Sequence, residues 1–367
     1  MKIAFVTTMD HSPWGGSEEL WSHAALRLLK DKVTIAARIR TWPNAVPEVQ
    51  KLAQAGCRIE RQRPVNRLER VLRKVNPQRP FRWLNDFKPD LAVISQTHQL
   101  AGLEWMQACA ERNIPYVLIV QAAGELMWPP DDFLHQLRAG FEGAKACFFV
   151  SQGNLEFVRW QLATDLAEGR VVRNPFNVSY TIQTNWPSTE PVFKLACVGR
   201  LEPFAKGQDL LFQVLTSDKW RSRALTVSLY GSGGNRETLE RLKQMWGLDN
   251  VYFRGFVHDV EAVWAEHHAL VLPSRVEGLP LAMVEAMLCA RPCIVTDVGG
   301  NAEMVEDNVS GFVASAPTTA LLDAVMERAW EHRERWAEMG QAAARRARAL
   351  VPADPAQVFA DELKSLI

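Results

Sequence analysis

Cysteine is scarce and scattered in this chain of 367 residues. Cys57, Cys109, Cys147, Cys197, Cys289 and Cys293 fall singly in apolar segments and form no Cys-x-x-Cys pair. That excludes a disulfide-built scaffold and leaves reduced core residues. Excess charge is missing too: 42 Lys and Arg balance 42 Asp and Glu, which argues against a nucleic-acid partner. No segment approaches the ~20 apolar residues of a membrane span. The opening MKIAFVTTMD is too short an apolar run for a signal peptide, so a cytoplasmic protein is expected. There is no short-period repeat, no low-complexity tract and no convincing set of metal ligands; Asp131 and Asp132, after Pro130, read as a helix start.

What is present is a regular alternation. KIAFVTT, KVTIAARI, PDLAVIS, PYVLIVQ and KACFFVS are continuous apolar runs separated by helical patterns, as in buried parallel strands. The alternation breaks at FNVSYTIQTNWPSTEP, residues 176–191, which reads as a linker. It restarts with VFKLACVGR, ALTVSLYGSG, VYFRGF, ALVLPS and PCIVTD, again with helices between, followed by a long helical tail. The fold class is therefore α/β, with two doubly wound Rossmann-like domains, 1–180 and 190–348, and a terminal helix at 349–367. Ligands of such sheets bind beyond the carboxyl ends of the strands.

Two carboxylates lie near one such end. Glu277 follows the strand ALVLPS, and Glu285, eight positions on, falls inside the helix that begins near Pro280. That helix start offers free backbone N–H groups and a partial positive charge, a ready anion site. Acids beside an anion make sense if they hold hydroxyl groups of the same ligand, and a sugar nucleotide has both. The plainer alternative is a surface acid and a helix-stabilising glutamate. Arg200 and Lys206 follow the strand VFKLACV. They either face solvent or hold a diphosphate and neutralise its departing charge. Between Lys51 and Lys88 there are eleven Lys or Arg against three acids. The basic amphipathic pattern RLERVLRKVN within 58–88 is either a solvated face or a contact for the inner face of an anionic membrane.

The ordered segments GRLEPFAKG, LYGSGGNRETLERL, FRGFVHDVEAVW, LPSRVEGLPLAMVEAM and DVGGNAEMVEDNVSGF, from Gly199 to Phe312, resemble the C-terminal half of the family 4 glycosyltransferases. These are retaining enzymes of the GT-B fold, whose two Rossmann-like domains face each other across a cleft. The resemblance implies that Glu277 and Glu285 are the two glutamates of the family's E-x7-E signature, the first touching the donor sugar and the second the nucleotide ribose. It implies that Arg200 and Lys206 bind the diphosphate, with Gly278, Leu279, Pro280 and the amides of Leu281 and Ala282 completing the donor pocket. Val257 would contact the base, and Gly16 would let the first domain's loop approach the diphosphate. Glu303 would belong to the helix behind the pocket. The terminal helix would cross back to the first domain.

The resemblance further implies a donor of the UDP or GDP type, no cofactor and no metal. The acceptor would be a glycan, a lipid-linked molecule or a small molecule, in polysaccharide or glycolipid synthesis. The N-terminal half matches more loosely, and Gln121 stands where many relatives carry histidine. Glutamine can hold a sugar hydroxyl but cannot carry a proton. A catalytically weak or silent sugar-nucleotide binder is thus one alternative, and a sugar-nucleotide epimerase another. His98, Glu125, Trp14 and Trp128 are acceptor-side candidates. The two tryptophans either stack on a sugar or anchor their loops.

Overall fold

The computed structural model describes residues 1–10, 12–62, 78–189 and 191–367. The basic helical pattern at 67–76 lies outside them. The chain divides into two compact units, Met1–Pro175 with Asp354–Ile367, and Phe176–Ala353.

The first unit is a parallel sheet. Its described strands are β1 (Lys2–Thr7), β2 (Thr34–Arg40), β3 (Arg58–Gln62), β4 (Leu91–Gln96), β5 (Tyr116–Val120), β6 (Ala146–Phe149) and β7 (Gly169–Val171), ordered β3-β2-β1-β4-β5-β6-β7. β4 and β5 are buried along their whole length. They need cover on both faces, and helices supply it. The helix Gly16–Lys30 buries Leu20, Trp21, Ala24, Ala25 and Leu28, one stripe at helical spacing. Trp21 meets Phe5 of β1 at a ring separation of 5.7 Å.

The last helix, Pro355–Ser365, belongs to this unit. Its sequence start is Asp-Pro: the Asp354 carboxylate accepts the Gln357 N–H at 3.0 Å, and Pro355 occupies the first turn. Phe359 packs on Phe148 at 5.0 Å between ring centres, a burial contributing about 1.5–3 kcal/mol.

The second unit is also parallel. Its described strands are β8 (Phe193–Val198), β9 (Leu225–Tyr230), β10 (Val251–Gly255), β11 (Ala269–Leu272), β12 (Cys293–Thr296) and β13 (Gly311–Ala314), ordered β10-β9-β8-β11-β12-β13. The stretch expected as a linker falls in this unit and is tied down within it. The Tyr180 hydroxyl donates to Arg348 O, Thr184 Oγ1 donates to Cys289 O, and the buried Arg291 guanidinium donates to Asn185 O.

Three strands, β3, β7 and β13, were absent from the sequence reading, and each is an edge. The helical tail is broken by a 3-10 turn at Arg333–Arg335, between Thr319–Glu331 and Trp336–Leu350. All six cysteines are free and buried. Asp131 and Asp132 form the first turn of the helix Asp131–Glu142. Among the described residues no helix is long and apolar enough to cross a membrane.

Candidate active site

In each sheet the strand order reverses once, between β1 and β4 and between β8 and β11. The loops that leave neighbouring strands there run to opposite sides and open a crevice, where ligands of such sheets bind. In the second unit the loops after β8 and β11 carry Arg200, Lys206 and Glu277.

Close backbone packing holds those two loops together. Gly207, at φ +64°, ends the short helix Pro203–Lys206, and a Cβ there would lie 1.9 Å from the Pro273 carbonyl oxygen. The amides of Arg275 and Val276 donate to Ala205 O at 2.8 and 3.2 Å. The Arg275 guanidinium forks onto both Asp209 carboxylate oxygens at 2.7 Å each, a bidentate pair of the strong kind. The loop after β12 closes from the other side. Gly299, at φ +57°, sits so close that a Cβ would be 2.5 Å from Glu277 O, and Gly300 N–H donates to Gly278 O at 2.7 Å.

Within this frame Lys206 Nζ lies 2.6 Å from Glu277 Oε1. Its stem runs beside Gly199, where a Cβ would meet Lys206 Cδ at 3.6 Å. The Ser274 hydroxyl donates to the same Glu277 oxygen at 2.7 Å, and Thr296 Oγ1 donates to Ser274 O at 2.5 Å. Glu277 is 5% exposed, so its charge is compensated at close range, as a buried carboxylate requires. Ser274 was missed as a site residue. The signal was present: a hydroxyl three positions before an acid at a strand end.

Arg200 follows a different course. Its guanidinium pairs with Glu202 at 3.2 Å, with both side chains about two-fifths exposed, while its carbonyl accepts from Gln208 Nε2 at 2.7 Å. Glu277 thus receives Lys206 directly, and Arg200 stands on the more open side of the same turn. Gly278, Leu279 and Pro280 are buried, while Leu281 and Ala282 are half-buried at the start of the helix Leu281–Leu288. Pro280 is the residue before the helix, and no side chain caps the helix start. Glu285 is 3% exposed, just over one turn in, and its Oε1 accepts two hydrogen bonds from Asn177. Val257 is half-buried in the loop after β10.

In the first unit Gly16 is the exposed first residue of its helix. The Trp14 Nε1–H donates to Glu19 at 2.8 Å, and its ring lies 6.0 Å from Trp21. Trp128 is 62% exposed and meets Phe157 edge-on at 6.5 Å; Glu125 is exposed near it. His98 Nδ1 accepts from Leu100 N–H at 3.3 Å. Gln121 is buried, its Oε1 accepting from Asn174 Nδ2 at 2.8 Å, while its Nε2 has no hydrogen-bond partner among the described residues.

Glu18, also missed, is fully buried behind Gly15 and Gly16. It accepts from Thr7 Oγ1 at 2.8 Å and Trp21 Nε1 at 3.0 Å. Burial raises its pKa from 4.5 to about 7 against those two hydrogen bonds. The folded chain therefore keeps a proton that the unfolded chain has released, so stability falls as pH rises from 4.5 to about 7. The full loss is roughly 3 kcal/mol. In Glu18→Gln this dependence should vanish. Thermal melts from pH 5 to 8 should move several degrees in the variant's favour relative to wild type; parallel curves would refute the assignment.

These loops are matched by known proteins. Residues 192–329 match the family model described as Glycosyl transferases group 1. The GDP-mannose-dependent alpha-(1-6)-phosphatidylinositol monomannoside mannosyltransferase of Mycobacterium tuberculosis is 34% identical over 146 residues, 36% of this chain and 37% of that protein. The alpha-D-kanosaminyltransferase of Streptomyces kanamyceticus is 32% identical over 147 residues, 38% of each. The match to these curated relatives thus spans about two fifths of their length. Among solved structures, Anabaena HepE in complex with UDP and glucose aligns over 100% of both chains at 21% identity with a TM-score of 0.76. The sucrose-phosphate synthase of Thermosynechococcus elongatus aligns over 99% of this chain and 98% of that one, at 19% identity and a TM-score of 0.76. The chain accordingly has the GT-B fold, two Rossmann-like units on parallel sheets, and its second unit carries the match to group 1 glycosyltransferases.

Proposed function

We propose that this protein is a metal-independent, retaining glycosyltransferase of family 4. It moves a sugar from a nucleoside diphosphate sugar to a hydroxyl acceptor in glycan or glycolipid synthesis. The observation that carries the reading is the Lys206–Glu277 contact of 2.6 Å at the strand-order reversal, inside the segment that matches the glycosyltransferase family model.

The chemistry follows from those groups. Transfer breaks the bond from the sugar's anomeric carbon to the diphosphate oxygen and forms one to the acceptor oxygen, whose hydroxyl proton passes to the departing diphosphate. Negative charge grows on the departing diphosphate, and positive character grows on the sugar. Lys206 and the uncapped helix start at Leu281 and Ala282 supply donors for the first. Glu277 supplies negative charge and a hydrogen-bond acceptor for the second. Its Oε1 already holds an ammonium and a hydroxyl, which makes it a poor nucleophile and favours an electrostatic role. The relatives' printed names support the substrate class: one uses GDP-mannose, and a structural neighbour was solved with UDP and glucose.

A silent nucleotide-binding relic is the second reading, favoured by Gln121, which cannot carry a proton where many relatives have histidine. The test incubates the purified chain with a panel of UDP- and GDP-sugars in EDTA, with and without candidate acceptors. Mass spectrometry follows donor loss and NMR the anomeric configuration. Release of nucleoside diphosphate with a glycoside of unchanged configuration is expected. Binding without turnover of any donor would establish the relic instead.

A further inference from the structure

We infer that Asn177 is a positioning residue for Glu285, fixing the carboxylate that selects a ribonucleotide donor. The inference rests on the proposed glycosyltransferase reading and on the ribose contact that the family resemblance implies for Glu285. Glu285 is 3% exposed in a helix whose residues Met283, Val284, Ala286, Met287 and Leu288 are also buried. A carboxylate in such surroundings is costly unless donors reach it. Asn177 supplies two. Its backbone N–H donates to Glu285 Oε1 at 2.9 Å, and its side-chain Nδ2–H donates to the same oxygen at 3.0 Å. Two donors from one residue converging on one oxygen fix both the position and the rotation of the carboxyl group.

The location adds to this. Asn177 is the second residue of the second unit, which begins at Phe176. The segment it opens is tied along its length to that unit by Tyr180 and Thr184. Tyr180 ties it to the helix Trp336–Leu350, and Thr184 ties it to Cys289 at the end of Glu285's own helix, so the donor pair and the helix it orients are held together as one frame. The asparagine type matters because its amide N–H donates to the acid. An aspartate of the same shape would set two carboxylates against each other.

The experiment measures binding of UDP and GDP, each against its 2′,3′-dideoxy counterpart, by calorimetry in wild type, Asn177→Ala, Asn177→Asp and Glu285→Gln. Wild type should prefer the ribonucleotide. Asn177→Ala should lose roughly tenfold of that preference, the order expected when one hydrogen bond to a charged group is removed, and Asn177→Asp should lose at least as much. Affinity for the dideoxy compounds should stay nearly constant, which a general loss of structure would not allow. The backbone donor survives in every variant, so Glu285 keeps a partner and the fold should hold; Asn177→Ser is the milder substitute if the alanine variant does not fold. An unchanged ribose preference in both Asn177 variants, with the preference lost in Glu285→Gln, would overturn the positioning role while leaving the donor role standing. A preference unaltered in Glu285→Gln, or no binding of either nucleotide to wild type, would overturn the donor role and the inference with it.

Discussion

Replacing Lys206 with alanine is expected to lower turnover by about a hundred- to a thousandfold, the size of effect seen when a preorganised donor to a developing anion is removed. The ammonium stands 2.6 Å from Glu277 Oε1, with side-chain exposures of 19% and 6%. It therefore acts where water screens little. Because charge on the diphosphate grows along the reaction, turnover should fall more than KM rises. The same substitution strips the cation from a buried carboxylate, so the fold should also lose stability, tempered by the remaining Ser274 hydrogen bond. Arg200→Ala gives the contrast. Its guanidinium is more open and engaged with Glu202, and it must leave that partner to serve a ligand. A tenfold loss or less is expected there. Steady-state kinetics on variants whose circular dichroism matches wild type would decide. Equal losses for the two cations would contradict the assigned geometry.

Gly207→Ala should be the most damaging small substitution. The backbone there is left-handed, at φ +64°, and an added Cβ would lie 1.9 Å from Pro273 O and 2.8 Å from Pro273 C. The left-handed conformation costs an alanine about 1 kcal/mol. The backbone clash adds roughly 1–3 kcal/mol more, because a carbonyl cannot rotate aside as a long side chain can. The shift falls on the seam between the loops after β8 and β11. It should break the Arg275 and Val276 hydrogen bonds to Ala205 O and part Lys206 from Glu277. Denaturant titration should show a drop of about 2–4 kcal/mol, with transfer activity lost beyond what stability explains. Gly234→Ala is the control, since nothing lies within 4 Å of its Cβ position, and it should fall within about 0.5 kcal/mol of wild type.

Most strands legible in the sequence are buried on both sides; the edge strand β10, read from VYFRGF, is the exception. β4, β5, β11 and β12 are continuous apolar runs, and each is buried throughout. The strands that escaped notice are edges. β3 reads RIERQ and is half exposed, β7 has three residues, and β13 has four. An edge strand has one paired side, and its sequence carries correspondingly less signal. The site divides in the same way. Glu277 and Lys206 were legible because each follows a buried strand, and ligand sites of parallel sheets collect there. Ser274, Asn177 and the close approaches at Gly207 and Gly299 were not, because each depends on which segments meet in space. Position along the chain groups Arg200 with Lys206, and the Arg200 side chain pairs with Glu202. Trp14, which either stacks on a sugar or anchors its loop, is held by Glu19 and Trp21. The irregular composition of 176–189 reflects bends, a turn and irregular chain pinned by scattered hydrogen bonds within the second unit, which leaves no periodic pattern.

The most direct measurement is calorimetric titration of UDP, GDP and the free nucleosides into the wild-type chain and into Lys206→Ala. If the crevice at the β8–β11 reversal holds a nucleoside diphosphate, at least one diphosphate should bind wild type far more tightly than its nucleoside, and most of that advantage should vanish with Lys206. Absence of any nucleoside diphosphate binding, or equal diphosphate affinity in the two proteins, would contradict it.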